Sequence, residues 1–140
     1  MKALILAAGL GSRLRPLTDE VPKALVQVKG HSILEHQINS LVANDINDIT
    51  LVTGYKHKVL EKFLEQFSDL NIKLLHNIQY ENCSSAYSAM LALNDLNEDY
   101  IHINCDILFS ASLVKKMLND KRKNILCVRN DIELNNSMEN

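Results

Sequence analysis

A chain of 140 residues with 46% hydrophobic and 23% charged residues is long enough for one domain with a real core. Fifteen basic against 17 acidic residues leave a net charge of −2, which supplies no electrostatic footprint for nucleic acid or an anionic membrane. The cysteines (Cys83, Cys105, Cys127) are odd in number without C-x-x-C spacing, and His31, His36, His57, His76 and His102 stand singly, so neither a disulfide framework nor a zinc site is expected.

The first apolar run, residues 2–7, predicts a buried strand and is too short for a signal-peptide core or a membrane span. The expectation is a cytoplasmic protein with neither a membrane nor a nucleic-acid partner. From Ala8 to Pro22 the chain is polar and long for a connection, which in a small domain marks a working loop. Residues 26–28 predict a short strand ended by Lys29-Gly30. Ser32 and Glu35 then form a capping box for a helix with Leu34, Ile38, Leu41 and Val42 on one face. Residues 49–53 predict the second main strand, stopped by Gly54. Leu60, Phe63, Leu64 and Phe67 return to helical spacing.

A third main strand is expected at 72–75, and Ser84 or Ser85 offers a cap for a helix running through Tyr87, Met90 and Leu91 to Leu93. Residues 100–104 alternate as a fourth strand ending at Cys105-Asp106. Ser110 can cap a helix holding Leu113, Val114, Met117 and Leu118, and residues 124–128 predict a fifth strand. Strand and helix alternate with crossover-length connections. The expected fold is therefore α/β: a three-layer, Rossmann-like arrangement with a mostly parallel sheet and helices on both faces. One domain is expected over 1–129, followed by a polar tail at 130–140 with three asparagines in its last six residues.

The loop after the first strand carries the chemistry. Leu6-Ala7-Ala8-Gly9-Leu10-Gly11-Ser12-Arg13-Leu14-Arg15-Pro16-Leu17-Thr18, then Pro22-Lys23, joins glycines to three cations. Glycines let backbone N–H groups approach an anion, and the cations add full charge. A Walker A loop would need glycine five residues after Gly9, where Leu14 stands. A dinucleotide fingerprint needs a third glycine at that same position and an acidic residue about twenty further on. Lys29, Gly30 and His31 occupy that place instead.

The run L-A-A-G-L-G-S-R-L-R-P-L-T, with P-K-A-L-V-Q-V-K-G-H-S-I-L after it, resembles the signature of the nucleotidyltransferases. The pattern extends over some thirty residues, and the alternative is a tight glycine turn with solvated basic residues. That alternative requires Arg13, Arg15 and Lys23 to match the family spacing by chance. The resemblance implies a glycosyltransferase-A-like nucleotidyltransferase fold. It implies that Arg13 and Lys23 are the catalytic cations, and that Leu6, Ala7, Ala8, Gly9, Gly11 and Ser12 bind the nucleotide. Physically, Arg13 suits bidentate phosphate contact and Lys23 is a flexible point charge, whereas Arg15 either neutralises the triphosphate or faces solvent.

Asp106 ends the fourth strand, the edge beyond which ligands collect in open α/β sheets. Alone it would be a turn or cap residue. By resemblance it is the carboxylate that holds Mg²⁺ on the triphosphate, with Cys105 where the family carries a small glycine. The segment from His76 to Ala89 resembles the choline-phosphate cytidylyltransferases of bacterial surface decoration, with N-x-x-Y, an Asn-rich turn and S-x-x-x-A. The resemblance implies base recognition by Asn82, Ser84 and Ser85; a plain helix cap is the competing account.

The resemblance implies transfer of a nucleoside monophosphate, with CTP favoured, to a phosphorylated small-molecule acceptor such as phosphocholine, and release of pyrophosphate. A sugar-1-phosphate or molybdopterin-type nucleotidyltransferase and a non-catalytic nucleotide-binding module are the alternatives. Nothing after Val128 resembles the family's C-terminal half, where a second metal carboxylate and the acceptor pocket lie, and Asp131 and Glu133 are not assigned that role. The expectation is a nucleotide-binding half with reduced turnover.

Overall fold

The computed structural model describes residues 1–128. Four parallel strands make the main sheet: β1 (Lys2–Ala7), β4 (Asp48–Thr53), β5 (Asn71–His76) and β6 (Tyr100–Asn104), in the order β5-β4-β1-β6. A short antiparallel hairpin, β2 (Gln27–Val28) and β3 (His31–Ser32), stands apart from it. The helices are α1 (Ile33–Val42), α2 (His57–Leu64), α3 (Ser85–Ala92) and α4 (Ala111–Asn119).

β1 is central and its residues Ala3 to Ala7 are buried on both faces, as a parallel strand covered by helices requires. Ala3, Ile5 and Ala7 point to one face with Ile49, Leu51, Ile101 and Ile103, where they meet Leu34, Ile38 and Leu41 of α1, Leu60 and Leu64 of α2 and Val114 of α4. Leu4, Leu6 and Val52 point to the other face and meet Ala92 of α3. The layers are thus three, with the larger core under α1, α2 and α4. On β6 the alternation leaves Tyr100, His102 and Asn104 exposed on the α3 side while Ile101 and Ile103 are buried.

Local signals hold at two helix starts. Ser32 Oγ accepts from Glu35 N at 3.1 Å, and Ser110 Oγ accepts from Leu113 N at 3.3 Å. Ser84 occupies the N-cap position of α3, but its hydroxyl makes no capping bond. The expected strand at 124–128 does not form: Leu126 and Val128 are 85% and 77% exposed, and none of these residues pairs with the sheet. Its apolar residues match a strand pattern, but a strand needs a neighbour for its N–H and C=O groups, and β6 is not paired to it. The expected polar tail at 130–140, with Asp131 and Glu133, lies outside the described residues.

Candidate functional site

The chain order places β4 on one side of β1 and β6 on the other. The crossovers diverge there, and a crevice opens beyond the carboxyl ends of β1 and β6. It is a half-open cleft of about 390 Å³. The loop after β1, the turn before α3 and the residues ending β6 form its walls.

The first wall is pinned by groups distant in sequence. Gly11 has φ +65°, and a Cβ there would meet Thr18 Cγ2 at 3.0 Å and Lys23 Cβ at 3.1 Å. Glycine is therefore required both by the left-handed turn and by the approach of Lys23. Thr18, fully buried, donates from Oγ1 to the Gly11 carbonyl at 2.9 Å. Tyr55 holds both ends of the loop, its N–H donating to Ala8 O at 3.0 Å and its hydroxyl to Thr18 O at 3.0 Å. Gly9 also lines the cleft, and no atom lies within 4 Å of where its Cβ would be.

The cleft brings together Leu6, Ala8, Gly9, Gly11, Ser12, Arg13, Lys23, Ser84, Ser85 and Asp106 from the set expected by sequence. Lys23 Nζ donates to Asp106 Oδ2 at 2.6 Å, across 83 residues of chain, with the two side chains 21% and 39% exposed. Ala7 does not line the cleft, because strand alternation sends its side chain into the larger core. Asn82 is exposed outside the lining, its N–H turned to Gln79 O at 2.9 Å. Arg15 is exposed and lies 3.4 Å from Asp19, also outside the lining.

Several lining residues were given no site role from sequence, although Leu14 stands in the signature run and Tyr80, Cys83 and Ser88 in the 76–89 segment; Asn104 is the fifth. Tyr80 packs on Gly54, where a Cβ would meet Tyr80 Cβ at 2.5 Å and Ala8 O at 2.6 Å. Asn77, buried behind this wall, donates from Nδ2 to Ser88 Oγ at 3.0 Å and to Cys83 Sγ at 3.1 Å, and accepts from Gln79 N at 3.0 Å. One buried amide therefore shapes the whole turn before α3.

Burial, reinforced by the charge of Asp106, pushes the Cys105 thiol up to about 11, so the sulfur is neutral and a poor metal ligand. Among the described residues no three His, Cys, Asp or Glu side chains form a metal cage. Asp106 is one half-exposed carboxylate beside a cationic wall. Mg²⁺ is commonly held by one or two carboxylates together with substrate phosphates, and this donor set fits that mode rather than an all-protein cage.

The family model for nucleotidyl transferases matches residues 2–132. The chain belongs to the nucleotidyl transferase family. Among curated nucleotidyl transferases it is 41% identical over 101 residues to the choline-phosphate cytidylyltransferase of Streptococcus pneumoniae, covering 72% of this chain and 43% of that protein. It is 37% identical over 112 residues to the mannose-1-phosphate guanyltransferase of Hypocrea jecorina, covering 77% of this chain and 31% of that protein. Among solved structures, the CTP:phosphocholine cytidylyltransferase from Streptococcus pneumoniae superposes with a TM-score of 0.70 at 37% identity, covering 79% of this chain and 49% of that one. The chain thus spans half or less of the length of these nucleotidyl transferases. Among the described residues no helix is long and apolar enough to cross a membrane.

Proposed function

We propose that the cleft holds the triphosphate of a nucleotide, CTP in the first instance, for attack at its α-phosphorus by the phosphate of a small acceptor such as phosphocholine. The supporting observation is the convergence of Arg13, Lys23 and Asp106 on one cleft whose floor is the Gly9–Gly11 turn. The identity to a cytidylyltransferase over 72% of the chain supports CTP. The open space at Gly9 admits a ligand against the backbone, and Ser84 and Ser85 line the same cleft.

In the reaction an acceptor phosphate oxygen forms a bond to the α-phosphorus, the bond from that phosphorus to the bridging oxygen breaks, and pyrophosphate leaves with the electron pair. A phosphate nucleophile is already ionised, so no general base is required. Arg13 and Lys23 neutralise the triphosphate and follow charge onto the leaving group, and catalysis is positioning plus charge stabilisation. Asp106 would hold Mg²⁺, which when bound neutralises phosphate charge and fixes the triphosphate's shape. Asp106 meets Lys23 through Oδ2 alone, in a partly exposed bond that can exchange. The triphosphate supplies the competing anion that draws Lys23 away. The substrates and pyrophosphate are those of a cytoplasmic nucleotide pool.

A second reading, a sugar-1-phosphate nucleotidyltransferase, is favoured by the identity to the guanyltransferase over 77% of the chain. Thermal shift with CTP, UTP, dTTP, GTP and ATP in Mg²⁺ identifies the base. Pyrophosphate release with phosphocholine against mannose 1-phosphate then separates the two readings. Stabilisation by CTP above the other four supports the first; stabilisation by GTP or UTP with turnover of the sugar phosphate overturns it.

A further inference from the structure

Helix α1 carries a column of polar side chains on the face toward the connection that follows β6. Gln37 donates both hydrogens of its amide, to Asn104 O at 2.9 Å and to Ile107 O at 2.8 Å. One turn on, Ser40 donates to Phe109 O at 3.1 Å, and a further turn on, Asn44 donates to Ala111 O at 3.0 Å. Spacing of three keeps Gln37 and Ser40 on one stripe of α1, and Asn44 continues the column in the turn that follows the helix. The column follows the backbone from the end of β6 to the start of α4, carbonyl by carbonyl.

Gln37 differs from the other two. It is fully buried, and its Oε1 has no hydrogen-bond partner. A buried acceptor left unpaired is a cost that an apolar residue of the same size would not carry. What glutamine provides in return is a two-pronged clamp on the residues that flank Cys105 and Asp106. Cys105 N–H is itself bonded to Leu6 O at 3.1 Å, which extends the β1–β6 register to the base of the Asp106 turn. The carboxylate thus projects from a turn fixed by β1 on one side and by the Gln37 amide on the other.

We propose that Gln37 is a positioning residue for Asp106, its amide holding the 104–107 turn so that the carboxylate meets the cation on the nucleotide. This inference rests on the assignment of Asp106 to Mg²⁺ given above. Gln37 itself touches neither nucleotide nor metal. The clamp acts through the carbonyls of Asn104 and Ile107.

The test is calorimetric titration of CTP in MgCl₂ and in EDTA, for the unaltered chain, Gln37→Met, Asp106→Asn and Asn44→Ala. Gln37→Met keeps the side-chain length and removes the orphaned acceptor with the two donors; Gln37→Leu, also apolar and slightly smaller, serves if the methionine variant does not fold. The expected result is a loss of roughly tenfold in the Mg²⁺-dependent gain in affinity for the Gln37 variant, matching Asp106→Asn, with affinity in EDTA retained. Asn44→Ala, from the same column but farther along the connection, lowers thermal stability and keeps the Mg²⁺ gain. A metal-free measurement accompanies it: alkylation of Cys105 followed by peptide mapping, faster in the Gln37 variant and unchanged in Asn44→Ala. A Gln37 variant that keeps the full Mg²⁺ gain while Asp106→Asn loses it overturns the positioning role alone. An unaltered chain that binds CTP equally in MgCl₂ and EDTA overturns the metal assignment, and this inference with it.

Discussion

Lys23 Nζ and Asp106 Oδ2 lie 2.6 Å apart, joining the loop after β1 to the end of β6 across the mouth of the cleft. The two groups are only partly covered, so the pair is worth about 0–1 kcal/mol to folding. Such a bond is easily exchanged when a triphosphate arrives.

Lys23→Ala therefore separates binding from folding. Thermal stability is expected to fall by no more than about 1 kcal/mol. Triphosphate affinity is expected to fall about 10- to 100-fold, the loss of one charge-assisted hydrogen bond of about 1.5–3 kcal/mol. Thermal melts beside calorimetric titrations measure both. Collapse of the fold in Lys23→Ala would mean that the lysine is structural.

Gly54→Ala is expected to damage the cleft from behind. The added Cβ would fall 2.5 Å from Tyr80 Cβ and 2.6 Å from Ala8 O, so both walls must shift. Overpacking of this kind costs about 1–3 kcal/mol. A melting curve should show that loss, and nucleotide affinity should drop with it. Unchanged affinity would mean that Tyr80 and the Ala8 loop do not shape the nucleotide's seat.

His57, stacked on the ring of His76, gives the domain a stability that depends on pH. Their rings stack at 4.1 Å with planes 6° apart, and His57 Nδ1 shares a 2.7 Å hydrogen bond with Thr53 Oγ1. Burial first, and then the neighbouring His76, hold the His57 pKa below its ordinary 6.5; Lys58 acts in the same direction and Glu61 opposes it. The folded pKa lies below the unfolded one, so the unfolded chain binds more protons between them. The contribution of His57 is thus fully present above about pH 6.5 and is lost as pH falls through the folded pKa. His57→Gln should flatten the fall of melting temperature between neutral and mildly acidic pH. A variant with the same acid limb as the unaltered chain would place the titrating group elsewhere.

Cys105 should be slow toward thiol reagents although it lines the cleft. With its pKa pushed up to about 11, roughly three thiols in ten thousand are ionised at pH 7.5. Cys127 is exposed and should be alkylated first. Mass-spectrometric mapping over time gives the order, and early labelling of Cys105 would contradict the buried setting beside Asp106 described for it.

Much of the fold was legible because its signals are local. The capping serines Ser32 and Ser110, the apolar run at β1 and the alternation of β6 each sit within a few residues of what they determine. The cleft's cations and Asp106 were named by resemblance to the nucleotidyltransferase signature, since Asp106 alone reads as a turn residue. What was not legible depends on distant partners. Tyr80 enters the cleft because Gly54, 26 residues earlier, has no side chain. Gln37 reads as an ordinary helix residue until the carbonyls of Asn104 and Ile107 arrive beside it. Ala7 and Asn82 belong to the right segments but point or turn elsewhere, since a run of residues does not say which of its faces meets a ligand. Residues 124–128 have strand-like composition without a strand paired to them among the described residues.

Calorimetric titration of CTP in MgCl₂ into the unaltered chain and into Lys23→Ala tests the central claim most directly. The account predicts saturable binding to the unaltered chain at one site, weakened about 10- to 100-fold in a folded Lys23→Ala. Binding that is equal in the two proteins, or no binding of CTP, UTP, dTTP, GTP or ATP to the unaltered chain, would contradict it.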